Sequence, residues 1–354
     1  MSFNTNSKNT CVITNVDSYL GYALAYRFLE AKKKKEDDFI ARQNIRVFCR
    51  NRSGYGLSHL EEMGAEIVEV DYEDQEKLRR HLKNVRSVAL IPESSQKRLK
   101  EAENLIKVSC DEKVEFFCMH SMIGVDAVEN DQEFQNLQEY LKIEKKVKEN
   151  FGDNHTVIRH TKFNQLFYFM APLIEGENKI ALPVKEDSKW GTVDINDVIN
   201  ACYLLVRKEH GSHESINAER MKKLYQFTPE QNKTTKEIVN EIGKGLGRED
   251  LKYSKISENE LKQHLQRMRD DKRFKNRPQT QQQGEKWDRD GPWTFPLGKY
   301  LNDRAIDTAM ECWRLADKGK ADIKSDDLKK LLNRNPHNLE EYFKKNRDQF
   351  KQFK

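Results

Sequence analysis

The sequence predicts an α/β fold with an open, doubly wound parallel sheet and a smaller, mainly helical C-terminal lobe. Two observations lead to this prediction. Short apolar segments alternate with amphipathic segments from residue 10 onwards. After Thr234, which is predicted to cap a helix, the apolar residues recur at helical spacing. Because crossovers between parallel strands are nearly always right-handed, few other topologies compete with a doubly wound sheet.

Each predicted strand is a short apolar run that ends at polar or turn-forming residues. The predicted strands cover residues 10–14, 45–49, 65–70, 87–91, 114–120 and 155–159, with shorter candidates at 191–193, 224–227 and 251–255. The predicted helices include residues 19–32, 75–82, 96–110, 133–150 and 194–205. In a sheet of this kind the ligand crevice lies at the carboxyl ends of the strands.

Composition and spacing divide the chain into three parts. Residues 1–9 are polar and are expected to be disordered, residues 10–230 to form the sheet-containing domain, and residues 231–354 to form the helical lobe. Residues 270–300 predict a long loop within that lobe, since they are rich in Pro, Gly, Gln and charge. Two or three helices, with a turn near residues 333–336, are expected to complete the chain.

The charge balance argues against a nucleic-acid or membrane protein. The net charge is only +5, from 63 basic and 58 acidic residues, so no large field attracts a polyanion. No apolar run approaches the roughly 20 residues that cross a bilayer. The six cysteines lie far apart without the spacing of a zinc site, so we expect no metal site and a cytoplasmic protein with reduced thiols.

The segment after the first predicted strand departs from a known pattern. In dinucleotide-binding folds, three glycines there permit a tight turn, close approach of the backbone to pyrophosphate, and close packing of the following helix. Here Asn15, Ser18 and Gly21 stand at that spacing, so only the helix-packing glycine remains. Asn15 tolerates left-handed geometry, whereas Ser18 adds a side chain and Asp17 adds negative charge near an anion site. Dinucleotide affinity is therefore expected to be weakened or lost; alternatively, Asp17 or Ser18 simply caps the helix.

A family likeness is carried by TNVDSYLGYALAYRFLE, GAEIVEVDYEDQEKLRRHLKNV, HTVIRHTKFNQLF, VDINDVINACYLLV and the C-terminal RNPHNLEEYFKKNRDQF. On these segments the chain resembles NmrA-like members of the atypical short-chain dehydrogenase/reductase superfamily over most of residues 10–354. The resemblance implies a Rossmann-like, NAD(P)-binding fold. It also implies that the first loop approaches the cofactor phosphates through Asn15, Asp17, Ser18, Tyr19, Leu20 and Gly21.

Residues at the ends of later strands extend this candidate cofactor site. An arginine after strand two accommodates the additional phosphate of NADP, whereas an acidic residue there binds the ribose of NAD. The chain has Arg50 and Arg52, so NADP(H) is the expected cofactor if one binds, although exposed basic residues occur often by chance in so charged a protein. The resemblance places Asp71 and Tyr72 near the adenine, and the same crevice receives Ile91, Pro92 and Ser121.

The catalytic pattern of the superfamily is incomplete. Its reductases pair a tyrosine proton donor with a lysine four residues later. Here Tyr140 is followed at that spacing by Glu144, which cannot supply the positive charge. Lys142 matches the single lysine that NmrA-like proteins carry at the start of this helix, so a lysine-only mechanism stays open. Lys142 is equally explained as one cation of a charged helix face.

Fold alone does not supply a function, so three hypotheses are kept. The favoured one is a non-catalytic or weakly catalytic regulatory protein that binds another protein or its own copies and is modulated by NADP(H). The second is an NADPH-dependent reductase of a small carbonyl or unsaturated substrate that uses Lys142. The third is a self-associating structural or storage protein.

Overall fold

The computed structural model describes residues 8–210, 221–275 and 297–351. Its strands, in chain order, are β1 (Thr10–Ile13), β2 (Asn44–Cys49), β3 (Glu66–Glu69), β4 (Val85–Leu90), β5 (Phe116–Met122), β6 (His155–His160), β7 (Lys162–Phe163), β8 (Lys179–Leu182), β9 (Lys189–Trp190), β10 (Thr192–Val193), β11 (Leu224–Phe227), β12 (Lys233–Thr234) and β13 (Lys252–Lys255).

The helices include both long sheet-covering helices and short capped turns. In chain order they are α1 (Tyr19–Lys34), α2 (Asp38–Arg42), α3 (Leu57–Glu62), α4 (Gln75–Leu82), α5 (Arg98–Asp111), α6 (Gln135–Phe151), α7 (Ala171–Glu177), α8 (Ile195–His210), α9 (Thr235–Leu246), α10 (Glu258–Asp270), α11 (Lys272–Lys275), α12 (Asp303–Asp317), α13 (Asp327–Leu332) and α14 (Leu339–Phe350). Within the described ranges, none of these helices is both long and apolar enough to cross a membrane.

The seven-stranded sheet has the order β11-β6-β5-β4-β1-β2-β3. β1 pairs in parallel with both β2 and β4, β2 pairs in parallel with β3, and β4 with β5. The chain therefore builds outward from β1 to β3 and then returns to the other side of β1 to place β4. This reversal creates a crevice at the carboxyl ends of β1 and β4, as in doubly wound sheets generally. The predicted fold class is confirmed.

Most predicted elements form where the apolar spacing placed them. Thr234 caps α9 with a reciprocal capping box to Glu237, and Gly247 ends that helix with a φ of 69°. The short helix α2 was not predicted; Asp37 forms it by accepting hydrogen bonds from the amides of Phe39 and Ile40. The long helix α10 was not predicted either, although Ser257 caps it in the same way as Thr234 caps α9.

The described residues form two compact units that interleave along the chain. The first takes residues up to 121 together with 139–158 and 202–225, and the second takes 122–138, 159–201 and those from 226 onwards. This grouping does not coincide with the expected division at residue 230, because the chain crosses between the units several times. Residues 1–7, and residues 276–296 of the expected long loop, lie outside the described residues.

The first unit packs the two faces of its sheet differently. Large apolar side chains fill one face, including Phe48, Leu105 and Phe117, all fully buried. On the opposite face the centre of the sheet carries small side chains, which leave an apolar cavity of about 90 Å³ beneath α1 and α8. Side chains too small to reach the covering helices explain this void. The small residues are Cys11, Ser87, Ala89 and Cys118.

The second unit is held by aromatic packing and by buried polar groups. The ring of Phe343 on α14 meets the ring of Phe167 edge-on at 5.7 Å and lies 5.1 Å from that of Phe350. The buried carboxylate of Glu311 accepts hydrogen bonds from the amides of Asn136 and Leu137, at 3.0 and 2.9 Å. These amides belong to the first turn of α6, where a negative charge is stabilising.

Gly21 allows α1 to begin directly against the loop that precedes it. A Cβ at this position would lie 2.0 Å from the carbonyl oxygen of Asn15 and 3.0 Å from the Cα of Val16. Both neighbours are backbone atoms, so they cannot move aside without distorting the loop.

We expect Gly21→Ala to lower the free energy of unfolding by about 1–3 kcal/mol or more, because of this clash. Gly176→Ala is the matched control: Gly176 lies in α7 with no atom near its would-be Cβ, so alanine should be neutral or stabilise by up to about 1 kcal/mol. Urea unfolding of both variants measures the difference. Equal stability of the two variants would contradict the packing argument.

Candidate functional site

The carboxyl ends of β1, β2, β3 and β4 meet at one edge of the sheet, because these strands are parallel neighbours. The segments that follow these strands lie in the first unit. All of the predicted site residues, Lys142 included, also belong to that unit. The hydrogen bonds among these segments determine what the crevice can hold.

The loop after β1 is bound to the segment after β4. Thr14 Oγ1 accepts a hydrogen bond from the amide of Ile91 at 2.9 Å, and Asn15 Nδ2 donates to the carbonyl of Pro92 at 3.1 Å. Asn15 has a φ of 51°, so the asparagine adopts the left-handed turn that a glycine usually provides. The expectation that Asn15 can keep this turn is confirmed.

Ser18 is the N-cap of α1. Its hydroxyl accepts a hydrogen bond from the amide of Gly21 at 3.2 Å and donates to the carbonyl of Asn15 at 2.7 Å. The capping alternative is therefore confirmed for Ser18. The cap uses an amide of the first helical turn, one of the groups that bind phosphate in glycine-rich loops. Tyr19 and Leu20, the next two residues, are buried.

Asp17 caps the end of β2 rather than the start of α1. Its Oδ2 accepts hydrogen bonds from the amides of Arg50 and Asn51, at 2.9 and 3.2 Å. Burial raises the pKa of Asp17 above its ordinary value, while the two amides act in the opposite direction by stabilising the carboxylate. The carboxylate therefore occupies amides at the crevice edge that an incoming anion would otherwise use.

Arg50 is bound by two carboxylates of the same unit. Its Nε lies 3.1 Å from Glu93 Oε2, and its Nη2 lies 2.6 Å from Glu101 Oε2. The Glu101 carboxylate also accepts a hydrogen bond from the hydroxyl of Ser95 at 2.6 Å. The guanidinium stands 5.5 Å from the ring centre of Tyr72, a cation–π distance. The arginine that sequence analysis assigned to the NADP phosphate is thus held by internal partners.

Burial dominates the titration of Glu93. The side chain of Glu93 is only 9% exposed, and its burial raises its pKa to about 7, although the charge of Arg50 acts to lower it. Burial also raises the pKa of Tyr72 well above its ordinary value, with the negative charge of Glu93 contributing. Burial acts to lower the pKa of Arg50, but its two carboxylate partners together outweigh burial and raise that pKa.

Arg98, which is buried, extends the network into α6. Arg98 donates from Nε to the carbonyl of Glu93 at 2.8 Å and pairs through Nη1 with Glu139 at 3.1 Å. Its guanidinium lies 4.8 Å from the ring centre of Tyr140, the tyrosine at the position expected for a proton donor. Tyr140 therefore packs on a structural cation of the same network.

The remaining predicted residues are distributed around this network. Arg52 is exposed and pairs with Glu61 at 2.6 Å, and its amide donates to Glu69. Asp71 is an exposed turn residue that accepts a hydrogen bond from the amide of Glu73. Lys142 is exposed on α6. Ile91, Pro92 and Ser121 are buried.

Four carboxylates and two guanidinium groups make up the network at this edge. They belong to Asp17, Glu93, Glu101 and Glu139 on one side and to Arg50 and Arg98 on the other. With every group ionised the acids outnumber the bases, so the edge is electronegative. A pyrophosphate, which is itself an anion, meets unfavourable charge here unless a carboxylate is protonated or displaced.

Sequence analysis did not find Glu93, Glu101 or Arg98. One signal was present in the sequence: Arg98, Glu101 and Leu105 stand at helical spacing. In the structure α5 buries all three residues. Charged residues at helical spacing with buried apolar ones indicate ion pairs rather than a solvated face. Arg50, the partner of Glu93 and Glu101, lies far away in sequence, so the pairing itself could not be inferred from spacing.

The chain matches the family model described as NmrA-like family over residues 21–343. This chain belongs to the NmrA-like family. The match extends across both compact units, and it confirms the resemblance drawn from the sequence segments. A comparison with curated protein sequences found no match.

Solved structures with the same fold include enzymes and a regulator. One is an NADPH-dependent quinone oxidoreductase of Escherichia coli, with 18% identity, a TM-score of 0.67, and coverage of 94% of this chain and 98% of that chain. Another is the Citrobacter sp. triphenylmethane reductase complexed with NADP(H), with 17% identity, a TM-score of 0.65, and coverage of 96% and 99%. A third is NmrA, a negative transcriptional regulator, in complex with NAD, with 10% identity, a TM-score of 0.63, and coverage of 96% and 95%.

These identities establish a shared fold, and the solved structures with that fold include complexes with NADPH and with NAD. Among the residues that the structure describes, no group of His, Cys, Asp and Glu side chains is arranged to hold a metal ion.

The raised pKa of Glu93 makes stability depend on pH. The native state binds a proton that the unfolded state releases, so this group lowers the stability as pH rises from about 4.5 to about 7. As pH rises from 5 to 8, the difference in unfolding free energy between Glu93→Gln and the native chain should therefore change by on the order of 1–3 kcal/mol in favour of the variant, on top of the constant offset caused by losing the contact with Arg50. Urea unfolding at intervals across that range measures the gain.

Glu61→Gln provides the control, since Glu61 is half-exposed and pairs with Arg52 at the surface. Its unfolding free energy should run parallel to that of the native chain at every pH. Parallel curves for Glu93→Gln as well would show that Glu93 titrates in its ordinary range.

Proposed function

We propose that this protein is a regulatory binding protein of the NmrA-like family, without efficient oxidoreductase activity, which binds NADP(H) weakly or not at all. The observation that carries the proposal is the fixed position of Arg50, bound between Glu93 and Glu101. Its family role would be to bind the additional phosphate of NADP. In this chain that role competes with two nearly buried carboxylates.

A dinucleotide phosphate must compete with Glu93 and Glu101 for Arg50, and this competition lowers the affinity for the dinucleotide. Removing one partner of a fully buried ion pair costs about 3–5 kcal/mol, but Arg50 is 40% exposed, so displacing it from its carboxylates costs less, about 1–3 kcal/mol. Since 1.4 kcal/mol corresponds to a tenfold change in affinity, displacing Arg50 would weaken a dinucleotide by about tenfold or more. Asp17, bound to the amides of Arg50 and Asn51, adds repulsion at the same edge.

The groups that would perform hydride transfer chemistry are also altered. Tyr140 packs against Arg98, and Glu144 stands where the superfamily's reductases carry lysine. Lys142 is exposed on α6, which is compatible with a solvated cation of that helix. When bound, a nicotinamide cofactor supplies a hydride. The chain's own residues would then have to orient it and provide a proton, and the superfamily's tyrosine–lysine pair is not formed.

The alternative to catalysis is recognition of a partner through the retained fold. The neighbour NmrA is described as a negative transcriptional regulator, and its chain shares the full architecture of this one. Binding of a protein partner or of a second copy of this chain is consistent with a retained fold whose crevice is filled by internal hydrogen bonds and ion pairs. The expected dinucleotide residues, from Asn15 to Lys142, then serve chiefly to stabilise that scaffold.

Titration with NADPH tests the proposal. The native chain should show no saturation in calorimetry or NADPH fluorescence up to about 100 µM, because Arg50 and the crevice amides are engaged. The double variant Glu93→Gln, Glu101→Gln releases Arg50 and removes two negative charges, so it should bind NADPH at least about tenfold more tightly.

A control removes the same number of charges elsewhere. The variant Glu149→Gln, Glu177→Gln removes two exposed carboxylates that pair with lysines outside the crevice and should leave NADPH affinity within about twofold of the native value. Micromolar binding of NADPH by the native chain, accompanied by oxidation of NADPH with a quinone or dye, would favour the reductase hypothesis and reject the proposal.

A further inference from the structure

The second unit contains a polar cavity of about 240 Å³ that is separate from the crevice of the first unit. It opens among β9, β10, the start of α9 and the segment between α13 and α14. Its walls combine an apolar part with polar groups. The apolar part consists of Trp190, Pro229, Ile238, Pro336 and Leu339.

His337 presents one ring nitrogen for a ligand. Its Nδ1 lies 3.1 Å from Asp194 Oδ2 and 3.2 Å from Asp197 Oδ1. Both carboxylates are almost completely buried, and Asp197 is also paired with Arg334. The hydrogen bond to Asp194 raises the pKa of His337 and so favours the imidazolium form. The second nitrogen, Nε2, then acts as a hydrogen-bond donor.

Thr192 supplies a second group without a partner. It is only 4% exposed and lines the same cavity, and its Oγ1 has no hydrogen-bond partner among the described residues. Buried hydroxyl groups are nearly always hydrogen-bonded in folded proteins, and an orphaned one therefore indicates a missing water or ligand. This observation is independent of His337 and belongs to a different element, β10.

Three of the four other charged side chains in the cavity wall are already paired. Lys233 is bound to Glu241, and Glu230 is bound to Lys329 at 3.0 Å. Glu341 is exposed at the cavity mouth. In the cavity wall, the hydroxyl of Thr192 and the Nε2 of His337 are therefore the groups left to form hydrogen bonds with a ligand.

We propose that this cavity is a binding site for a small carboxylic acid with an aromatic or branched apolar body. The carboxylate would accept hydrogen bonds from His337 Nε2 and Thr192 Oγ1, and the body would pack on Trp190 and its apolar neighbours. The volume lies below the roughly 300–1,000 Å³ of pockets for drug-sized ligands, which suits a smaller metabolite. The site is independent of the dinucleotide crevice.

Calorimetry of the full chain with benzoate tests the proposal, with benzamide as the uncharged comparison of the same shape. Benzoate should bind with a dissociation constant between about 10 µM and 1 mM, as expected for so small a ligand. Benzamide should bind at least about tenfold more weakly, since it lacks the negative charge. Quenching of tryptophan fluorescence by benzoate should follow the same saturation curve, because Trp190 lines the cavity.

Two variants locate the binding to the cavity. Thr192→Val should weaken benzoate by about fivefold or more without lowering the unfolding midpoint, because an orphaned hydroxyl is replaced by a methyl group of similar shape. His337→Asn should weaken benzoate about tenfold or more, since the amide can still donate to Asp194 but has no group in place of Nε2.

Thr161→Val is the matched control outside the cavity. Thr161 donates its hydroxyl hydrogen bond to the carbonyl of Lys162, so valine should lower stability slightly and leave benzoate affinity unchanged. The proposal is overturned if benzoate shows no saturation up to about 5 mM, as for a cavity that holds only water. Equal binding of benzoate and benzamide, or an unchanged affinity in Thr192→Val, also overturns it.

Discussion

The contact of Arg50 with Glu93 and Glu101 is the interaction on which the candidate site depends. It joins the end of β2 to the segment after β4 and to α5, across the point where the strand order reverses. A doubly wound sheet leaves this point open for a ligand. Here a partly exposed guanidinium and two buried carboxylates fill part of it, so the fold is retained while the charged groups at this point pair with one another.

Much of the fold could be predicted from local patterns. The strands β1, β2 and β4 are short apolar runs, and Gln75–Leu82 was predicted with the bounds that α4 has. Weak local signals explain the exceptions. The helix α2 follows a charged run, and its formation depends on the single cap Asp37, which spacing does not reveal. The division into two interleaved units depends on contacts between residues far apart in sequence, and local sequence patterns do not predict such contacts.

The candidate site was only half predictable. The turn at Asn15 and the cap at Ser18 follow from the intrinsic preferences of asparagine and serine, so the sequence was sufficient for both. The partners of Arg50 were not accessible in this way. Ion pairs between distant segments depend on which helix face is buried and on the register of neighbouring strands, and both are properties of the tertiary structure.

The apolar cavity beneath α1 and α8 has a mechanical consequence. Unfolding eliminates internal void volume, and hydrostatic pressure favours the state with the smaller total volume. The face of the sheet that carries Cys11, Ser87, Ala89 and Cys118 is therefore the compressible side of the first unit. Under high pressure, water should enter between these small side chains and the overlying helices before it reaches the densely packed face around Phe48 and Phe117.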